Sequence, residues 1–374
     1  MRKKILFIIP LIGSYKSFLK ELGAELVKQG YNVFLLTSNT ASEKISGINI
    51  INSDFPRGMN LCKHLRCAKE IRKVVHNISP DIINVHFSAN IFTVALAKEK
   101  SWPPVLATFH GLSFPVMKSG ILKQLVKAAE IFSSIKMDYV SVLTEDDVVA
   151  LRKFVKKSKL YCYKSKGVGC DVNRFCKCRI SEKRKEELKK SLGISRYDKV
   201  MIFVGRFVAF KGFDLVARVF TELNEPELKL MLLGGKDPIH ATGLSVEEEK
   251  FFFKNPNVLN VGYVDNVEDY LAISDIMLFP STKEGLPVCV MEALAMEVPV
   301  IVPDSRGCNS LIKTGKNGII LENMQVETIV ECVKRLIFEL ECHQMVDYMK
   351  RHRNLYDRNN FIQEQLAIYN RLIK

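Results

Sequence analysis

Short apolar segments alternate with helix-like segments along the whole chain of 374 residues. The apolar segments that are typical of buried strands read KKILFIIP, YNVFLLTS, DIINVHF, PPVLATFHG, VMIFVG, KLMLLGG, DIMLFPS and VPVIVP. Strands that are apolar throughout and separated by helices predict parallel sheets covered by helices on both faces. The pattern therefore predicts a fold of the α/β class.

The alternation restarts near residue 199, after a charged helical stretch at 181–192. The join between two domains is therefore expected in KSKGVGCDVNRF, around residues 165–180. We predict two doubly wound, Rossmann-like domains that face each other across a cleft, covering residues 1–170 and 171–358.

Composition excludes several classes of protein. With 47% hydrophobic residues the chain is neither disordered nor fibrous. Its apolar runs reach only about ten residues, and roughly 20 are needed to span a membrane. The basic and then apolar N-terminus faintly resembles a signal peptide, but Leu6 to Pro10 fits a first strand better. We therefore expect a cytoplasmic, unprocessed protein.

The net charge of +14 lies entirely in residues 1–166, which hold 26 basic and 12 acidic residues, whereas the remainder holds 29 of each. Such asymmetry predicts a polyanionic partner for the first half, either membrane lipid or nucleic acid. A helix around residues 61–76 has an apolar side and a basic side, which favours an anionic membrane surface. The basic side chains expected to contact the membrane are Lys63, Arg66, Lys69, Arg72 and Lys73. Nucleic acid fits this half but not the neutral second half.

Ten cysteines show no zinc-binding spacing, and the pair Cys176 and Cys178 has no matching second pair. Because the chain is expected to stay in the cytoplasm, we predict reduced, structural thiols.

The segment EGLPVCVMEALAMEVPVI follows the strand DIMLFPS, so it lies at the carboxyl end of a strand, where open α/β sheets bind ligands. Glu292 is the only charge in a helix that is apolar nearly all round, so its carboxylate needs hydrogen-bond donors. Two adjacent ribose hydroxyls would supply them. Glu284 lies in the loop before this helix, where the backbone amides of Gly285 and Leu286 can face an anion. The alternative is a solvated loop glutamate and an internally bonded helix glutamate.

A second strand, VMIFVG, leads into RFVAFKGF. Arg206 projects from the strand end, and Lys211 precedes the next helix. These two cations can converge on a diphosphate, which arginine grips through two hydrogen bonds and lysine attracts as a point charge. They can also be ordinary surface residues in a basic chain.

Three further strand ends carry candidates. Gly13 follows the first strand and can admit a phosphate close to the backbone, although a plain turn is the simpler explanation of a single glycine there. His110 ends the strand PPVLATFHG, where it is either structural or functional. Gly234 and Val264 follow strands of the second domain and can line a nucleotide base.

Taken together, these motifs resemble the family-4 retaining glycosyltransferases of GT-B fold, and most closely the bacterial capsule and O-antigen enzymes. Residues 284–292 are similar to the family's E-x7-E signature, and VGRFVAFKGFDL is similar to its phosphate-binding segment. GVGCDVNRF resembles the pattern between the domains, and ATFHGLSF resembles a first-domain loop. One departure is PLIGS, which lacks a second glycine and leaves the role of Gly13 open. DSRGC in place of the commoner DVGG fits the capsule-type subgroup.

The resemblance implies a retaining, metal-independent transfer of a hexose or N-acetylhexosamine from a nucleotide sugar, with UDP as the more frequent nucleotide. Arg206 and Lys211 would neutralise the departing diphosphate, Glu292 would hold the ribose, and Glu284 would hold sugar hydroxyls. His110 would face the transferred sugar from the first domain. No cofactor is expected, and no Asp-x-Asp cluster stands at a suitable strand end.

The same resemblance implies an undecaprenyl-diphosphate-linked acceptor, docked on the basic first domain at the inner face of the cytoplasmic membrane. A C-terminal helix at about residues 359–374 would pack back on that domain. Two alternatives stay open. A GT-B sugar-nucleotide epimerase would act on the donor without an acceptor, and a non-catalytic membrane-associated partner would lack Glu292, Arg206 or Lys211.

Overall fold

The computed structural model describes residues 2–38, 43–56, 58–338 and 342–373. The chain divides into two compact domains. The first comprises Met1–Val168 and Phe361–Lys374, and the second comprises Gly169–Asn360. The sequence had placed the boundaries at residues 170 and 358.

The first domain is a seven-stranded parallel sheet with helices between its strands. Its strands are β1 (Lys4–Leu11), β2 (Asn32–Ser38), β3 (Ile48–Asn52), β4 (Ile82–His86), β5 (Val105–Phe109), β6 (Tyr139–Val142) and β7 (Leu160–Cys162). Its helices are α1 (Ile12–Phe18), α2 (Lys20–Lys28), α3 (Leu61–Ile78), α4 (Ser88–Ala97), α5 (Ile121–Lys136) and α6 (Glu145–Leu151), with 3-10 turns at Phe114–Val116 and Lys157–Lys159.

The second domain is built in the same way on a six-stranded parallel sheet. Its strands are β8 (Lys199–Phe207), β9 (Leu228–Lys236), β10 (Val258–Gly262), β11 (Ile276–Leu278), β12 (Val300–Pro303) and β13 (Gly318–Leu321). Its helices are α7 (Glu182–Ser191), α8 (Phe213–Leu223), α9 (Val246–Lys254), α10 (Val267–Ala272), α11 (Val288–Ala295), α12 (Val326–Phe338) and α13 (Cys342–His352), with 3-10 turns at Lys177–Arg179, Ala209–Lys211 and Arg353–Tyr356.

The two sheets share one strand order. It is β3-β2-β1-β4-β5-β6-β7 in the first domain and β10-β9-β8-β11-β12-β13 in the second. Each order reverses at one place, between β1 and β4 and between β8 and β11, and ligands of doubly wound folds bind beside the strand ends at such a point. The predicted α/β class with two Rossmann-like domains is confirmed.

The central strands form the core of each domain, and every residue of β4, β5, β11 and β12 is buried. Each fully buried Leu, Ile or Phe side chain contributes roughly 1.5–3 kcal/mol to stability. The core therefore holds the strand ends in fixed positions. No helix among the described residues is long and apolar enough to cross a membrane.

The last helix, α14 (Arg358–Leu372), begins in the second domain and belongs to the first from Phe361 onward. Polar contacts fix it there. The Glu364 carboxylate accepts hydrogen bonds from the Tyr161 hydroxyl at 2.6 Å and from the Ser165 amide at 2.6 Å. Asn84 of β4 donates to the Tyr369 hydroxyl at 2.5 Å. Lys374, the end of the helix expected from sequence, lies outside the described residues.

The prediction that all thiols are reduced is wrong for one pair, because Cys176 and Cys178 form a disulfide. Their Cα atoms are 5.3 Å apart, since a 3-10 turn begins at Lys177 and brings the two sulfur atoms together. The other seven cysteines whose side chains are described are free.

Candidate active site

The reversal point of the second sheet is surrounded by closely packed loops. The loop after β8 ends at Gly212, whose φ of +74° is in the left-handed region. A Cβ atom at Gly212 would lie 2.4 Å from the Pro280 carbonyl oxygen, so only glycine fits here. The Thr282 amide donates to the Phe210 carbonyl at 3.0 Å, which joins the loops that follow β8 and β11.

Lys211 and Glu284 meet at this point, although sequence analysis placed them in separate motifs. The Lys211 Nζ atom lies 2.5 Å from Glu284 Oε1, and the Ser281 hydroxyl donates to the same oxygen at 2.6 Å. Both side chains are largely buried, with 19% and 11% of their surface exposed. A charge-assisted hydrogen bond in such surroundings is strong, so each group is held in place until a ligand competes for it.

Arg206 projects from β8, as predicted, and forms an ion pair that sequence analysis missed. Its Nη1 atom lies 2.5 Å from Asp237 Oδ2, and its guanidinium stacks 5.4 Å from the centre of the Phe210 ring. The Ile239 amide, the His240 side chain and Arg206 all donate to Asp237, which holds the pKa of its carboxyl well below the usual value. Asp237 therefore stays ionised and Arg206 stays aligned with it.

Glu292 lies on α11 and is half-buried. Burial raises the pKa of its carboxyl group to about 7, although the positive charges of Arg358 and Arg174 oppose the shift. Among the described residues, no group donates a hydrogen bond to this carboxylate. A buried carboxylate without a donor is costly to the protein alone, and it is a ready acceptor for a ligand with hydroxyl groups.

The loop that carries Gly285 and Leu286 packs against the residues that follow β12. A Cβ atom at Gly307, whose φ is +85°, would lie 1.9 Å from the Gly285 carbonyl oxygen. The Ser305 hydroxyl donates to the Ser281 carbonyl at 2.9 Å. DSRGC therefore retains glycine at a position where the two backbones touch.

The weaker glycine candidates have simpler surroundings. A Cβ atom at Gly234 would lie 2.0 Å from the Gly205 carbonyl oxygen, so this glycine lets β9 approach β8 closely. Gly13 is in α1 with open space around it, and Val264 is half-buried in the loop after β10. Among the described residues, no hydrogen bond joins Val264 to the Lys211–Glu284 pair.

His110 follows β5 in the first domain and packs among aromatic rings. Its Nε2 atom lies 2.9 Å from Nδ1 of His86, and its ring stacks on Phe87 at 4.4 Å between ring centres and 15° between planes. Phe18 of α1 packs 5.2 Å away. Burial lowers the pKa of His110 to about 4, so the imidazole is uncharged at neutral pH.

The basic helix α3 presents four of its five predicted side chains to solvent, at Lys63, Arg66, Lys69 and Lys73. We refer to these four as the α3 basic face. Arg72 is half-buried and donates to the carbonyl groups of Leu96 and Ala97 at 2.8 and 2.9 Å. Arg72 therefore caps the end of α4, which sequence analysis did not foresee.

Helix α5 has its amphipathic character reversed, which sequence analysis also missed. Polar residues Glu130, Ser133 and Ser134 face the interior. Apolar side chains on the outside form what we call the α5 ridge, which comprises Ile121, Leu122, Leu125, Phe132 and Ile135, exposed by 81, 57, 52, 37 and 54%. Aromatic contacts from His64 of α3 through Phe92 of α4 to Phe132 connect this ridge with the α3 basic face.

Both domains match models of known families. Residues 4–142 match "Glycosyl transferase 4-like", and residues 184–352 match "Glycosyl transferases group 1". The chain is 25% identical to N,N'-diacetylbacillosaminyl-diphospho-undecaprenol α-1,3-N-acetylgalactosaminyltransferase of Campylobacter jejuni, over 88% of this chain and 87% of that protein. It is 25% identical to N-acetyl-α-D-glucosaminyl L-malate synthase of Bacillus anthracis, over 90% of this chain and 87% of that protein.

The fold is also that of solved glycosyltransferase structures. Anabaena HepE, solved in complex with UDP and glucose, superposes with a TM-score of 0.78 at 14% identity, covering 98% of this chain and 99% of that chain. A glycosyltransferase from Rickettsia africae superposes with a TM-score of 0.79 at 16% identity, covering 100% and 99%. With family models matched in both domains and this common fold, the chain belongs to the family-4, or group 1, glycosyltransferases of GT-B fold.

Proposed function

We propose that this enzyme transfers a sugar from a nucleotide sugar to a lipid-linked oligosaccharide during the synthesis of a cell-surface polysaccharide, with retention of anomeric configuration. The donor is a UDP-hexose or UDP-N-acetylhexosamine. The observation that carries the proposal is Glu292, a half-buried carboxylate that accepts no hydrogen bond from the described residues. A ribose supplies two adjacent hydroxyl donors to such a group.

The diphosphate of the donor binds Arg206 and Lys211 in this proposal. Both cations stand at the carboxyl edge of the second sheet, and both are held by carboxylates in the absence of ligand. A diphosphate competes for Lys211, which frees Glu284 to accept hydrogen bonds from sugar hydroxyls while Ser281 still donates to it. Gly285, Leu286, Gly234, Val264 and Gly13 complete the proposed set of residues around the donor.

Transfer breaks the bond between the anomeric carbon and the diphosphate oxygen, and the acceptor hydroxyl oxygen forms a new bond to that carbon. Negative charge grows on the departing diphosphate, where Arg206 and Lys211 stabilise it without a metal ion. The hydroxyl proton passes to the departing phosphate oxygen. His110, uncharged at neutral pH, donates or accepts a hydrogen bond on the transferred sugar.

A membrane-bound acceptor is proposed on the basis of the first domain. The C. jejuni relative is named for an undecaprenol-linked acceptor and the B. anthracis relative for malate, so the relatives alone do not choose between acceptors. The α5 ridge and the α3 basic face combine exposed apolar area with positive charge, which is the combination that binds anionic bilayers. We therefore propose peripheral association with the cytoplasmic membrane and an undecaprenyl-diphosphate-linked acceptor.

A panel of nucleotide sugars tests the donor half of the proposal by thermal shift. A donor at 100 times its dissociation constant stabilises the fold by about 2.7 kcal/mol. Glu292→Gln is expected to reduce the shift strongly at pH 8, and Glu331→Gln, the same change at an exposed position on α12, is expected to keep it. A shift that Glu292→Gln leaves intact would contradict the assignment of Glu292 to the ribose.

The best donor is then incubated with a water-soluble acid such as malate and with an undecaprenyl-diphosphate-linked saccharide in vesicles. Glycosylation of the lipid-linked saccharide supports the proposal. Glycosylation of the acid alone contradicts it, and epimerisation of the donor without any acceptor would identify an epimerase instead.

A further inference from the structure

Phe87, between β4 and α4, breaks two local rules of backbone structure. Its φ of 70° and ψ of 139° lie in a region that glycine occupies and other residues avoid. It also stands at the N-cap of α4, where Ser, Thr, Asp or Asn supplies a hydrogen bond and phenylalanine supplies none. Backbone strain of this kind persists only where the surroundings enforce it, and it concentrates at functional sites.

The conformation places the ring of Phe87 flat against His110, with 4.4 Å between the ring centres. The preceding residue, His86, is fully buried and shares a 2.9 Å hydrogen bond between its Nδ1 atom and His110 Nε2. The other ring nitrogen of His86 has no partner among the described residues. His86 therefore makes one side-chain hydrogen bond, and it is directed at His110.

Ser88, which follows Phe87, links the turn between β4 and α4 to the loop that follows His110. The Ser88 hydroxyl donates to Glu130 Oε1 at 2.6 Å. The Glu130 carboxylate also accepts from the amides of Ser113 at 2.9 Å and Phe114 at 3.1 Å. Glu130 is buried on the inner face of α5, so the two loops are tied through one side chain.

We propose that Phe87 and His86 are positioning residues that fix the plane and the free ring nitrogen of His110 for its contact with the substrate. Phe87 holds the imidazole from one face, and His86 holds it at one edge, which leaves only Nδ1 available. The inference rests on the proposed role of His110 in sugar transfer. It adds two residues that need not touch the substrate themselves.

Substitutions at Phe87 separate the strain from the stacking. Phe87→Gly and Phe87→Ala both remove the ring, but only alanine keeps the Cβ atom that this backbone conformation disfavours. We expect Phe87→Gly to melt at a higher temperature than Phe87→Ala, and both to lose about ten- to a hundredfold in kcat with a smaller change in donor KM. Phe87→Tyr keeps a ring and is expected to restore turnover.

The matched control is Ser79→Gly. Ser79 ends α3 with a φ of 48° and a ψ of 64°, so its replacement relieves a positive φ at a residue that is not among the groups packed on His110. Turnover of this variant is expected to equal that of the wild type.

The pH profile gives a readout that lost stability alone does not move. The groups that face His110 are Phe18 of α1, Phe87 and His86, and no carboxylate among the described residues forms an ion pair with it. Because burial lowers the pKa of His110, the wild-type imidazole stays neutral until the pH falls towards 4. In Phe87→Ala and His86→Ala, water reaches the ring, so its pKa rises towards 6.5 and activity is lost at correspondingly higher pH.

Histidine NMR of the same variants checks this titration directly. The proposal is overturned if Phe87→Gly and His86→Ala keep wild-type kcat and wild-type titration of His110, or if Phe87→Ala is more stable than Phe87→Gly. A His110→Ala variant with wild-type activity would instead refute the proposed role of His110 in transfer.

Discussion

Replacing Glu292 by glutamine is expected to stabilise the unliganded protein and to weaken donor binding. Burial raises the pKa of this carboxyl from 4.5 to about 7. The group therefore favours the fold fully below about pH 4.5, and that contribution is lost as the pH rises through 7. At pH 8 the buried charge costs about 3 kcal/mol relative to its neutral form, because each pKa unit corresponds to about 1.4 kcal/mol.

Glutamine has the same shape without the charge, so Glu292→Gln is expected to melt several degrees higher than the wild type at pH 8. The difference is expected to shrink towards pH 5, where the wild-type carboxyl is protonated. Melting curves between pH 5 and 8 measure it. Glu331→Gln, the same change at an exposed position on α12, is the control and is expected to show no such dependence on pH.

Donor affinity is expected to move in the opposite direction. The ribose hydroxyls need the ionised carboxylate, so wild-type affinity should rise about tenfold from pH 6 to pH 8, following the ionised fraction of a group with a pKa of about 7. Glu292→Gln is expected to bind ten- to a hundredfold more weakly at pH 8, because hydrogen bonds to a charged group contribute roughly 1.5–3 kcal/mol. Its affinity should not vary with pH.

Isothermal titration calorimetry with an intact nucleotide sugar gives these affinities, since its diphosphate is a diester and lacks the phosphate ionisation near pH 6. Buffers of different ionisation enthalpy should report proton release on binding near neutral pH in the wild type and none in Glu292→Gln. Equal affinity of the two proteins at pH 8 would refute the assignment of Glu292 to the ribose. A melting difference independent of pH would refute the argument from burial.

Two further predictions concern chemistry and the membrane. Arg206→Ala and Lys211→Ala should each lower kcat about a hundredfold and change donor KM less. A chelator of divalent metal ions should leave the wild-type rate intact. If the chelator abolishes transfer and Mn²⁺ restores it, the metal-free mechanism is refuted. In vesicle co-sedimentation, serine at the five positions of the α5 ridge should weaken binding to anionic vesicles at every salt concentration, whereas glutamate at the four positions of the α3 basic face should weaken it mainly at low salt. Phe251→Ser, at a residue of α9 that is 69% exposed, is the control; equal binding of all variants would leave both surfaces without a membrane role.

Sequence periodicity predicted eight strands of the two sheets and missed β3 and β7 among others. β11 and β12 are apolar at every position because both of their faces are covered, so their composition alone identifies them. β3 is an edge strand with every residue at least partly exposed, and β7 has only three residues. The pairing of such strands depends on a neighbour that is already in place, which a local pattern does not contain.

The individual residues of the site were predicted from the sequence, but the contacts between them were not. Glu284 and Glu292 were found because both lie in one segment after a strand. Lys211 reaches Glu284 from 73 positions away, and Arg206 meets Asp237 because β8 and β9 run in parallel with Phe207 opposite Lys236. These contacts follow from sheet register, which the order of motifs along the chain leaves open.

Helix α5 shows why periodicity alone can assign the wrong face of a helix to the core. An apolar stripe at helical spacing normally faces the core, and nothing in the spacing tells which stripe is turned inward. Here the Glu130 carboxylate accepts hydrogen bonds from three donors of the neighbouring segments, the Ser88 hydroxyl and the amides of Ser113 and Phe114, so the polar side is inward and the apolar side is exposed. The polar groups of these segments therefore determine which face of α5 is turned towards the interior.

Three departures from local rules in this protein occur at places where a ligand or a surface is proposed to bind. Glu292 keeps a charge in an apolar helix, Phe87 keeps a conformation suited to glycine, and α5 keeps apolar side chains in water. Each lowers the stability of the unliganded protein, and the proposed ribose, histidine contact or bilayer offsets it. A sequence selected for stability alone would remove all three. Glu292→Gln and Phe87→Gly are therefore each expected to remove a destabilising feature and to lose donor affinity or turnover. They do so through unrelated interactions in different domains.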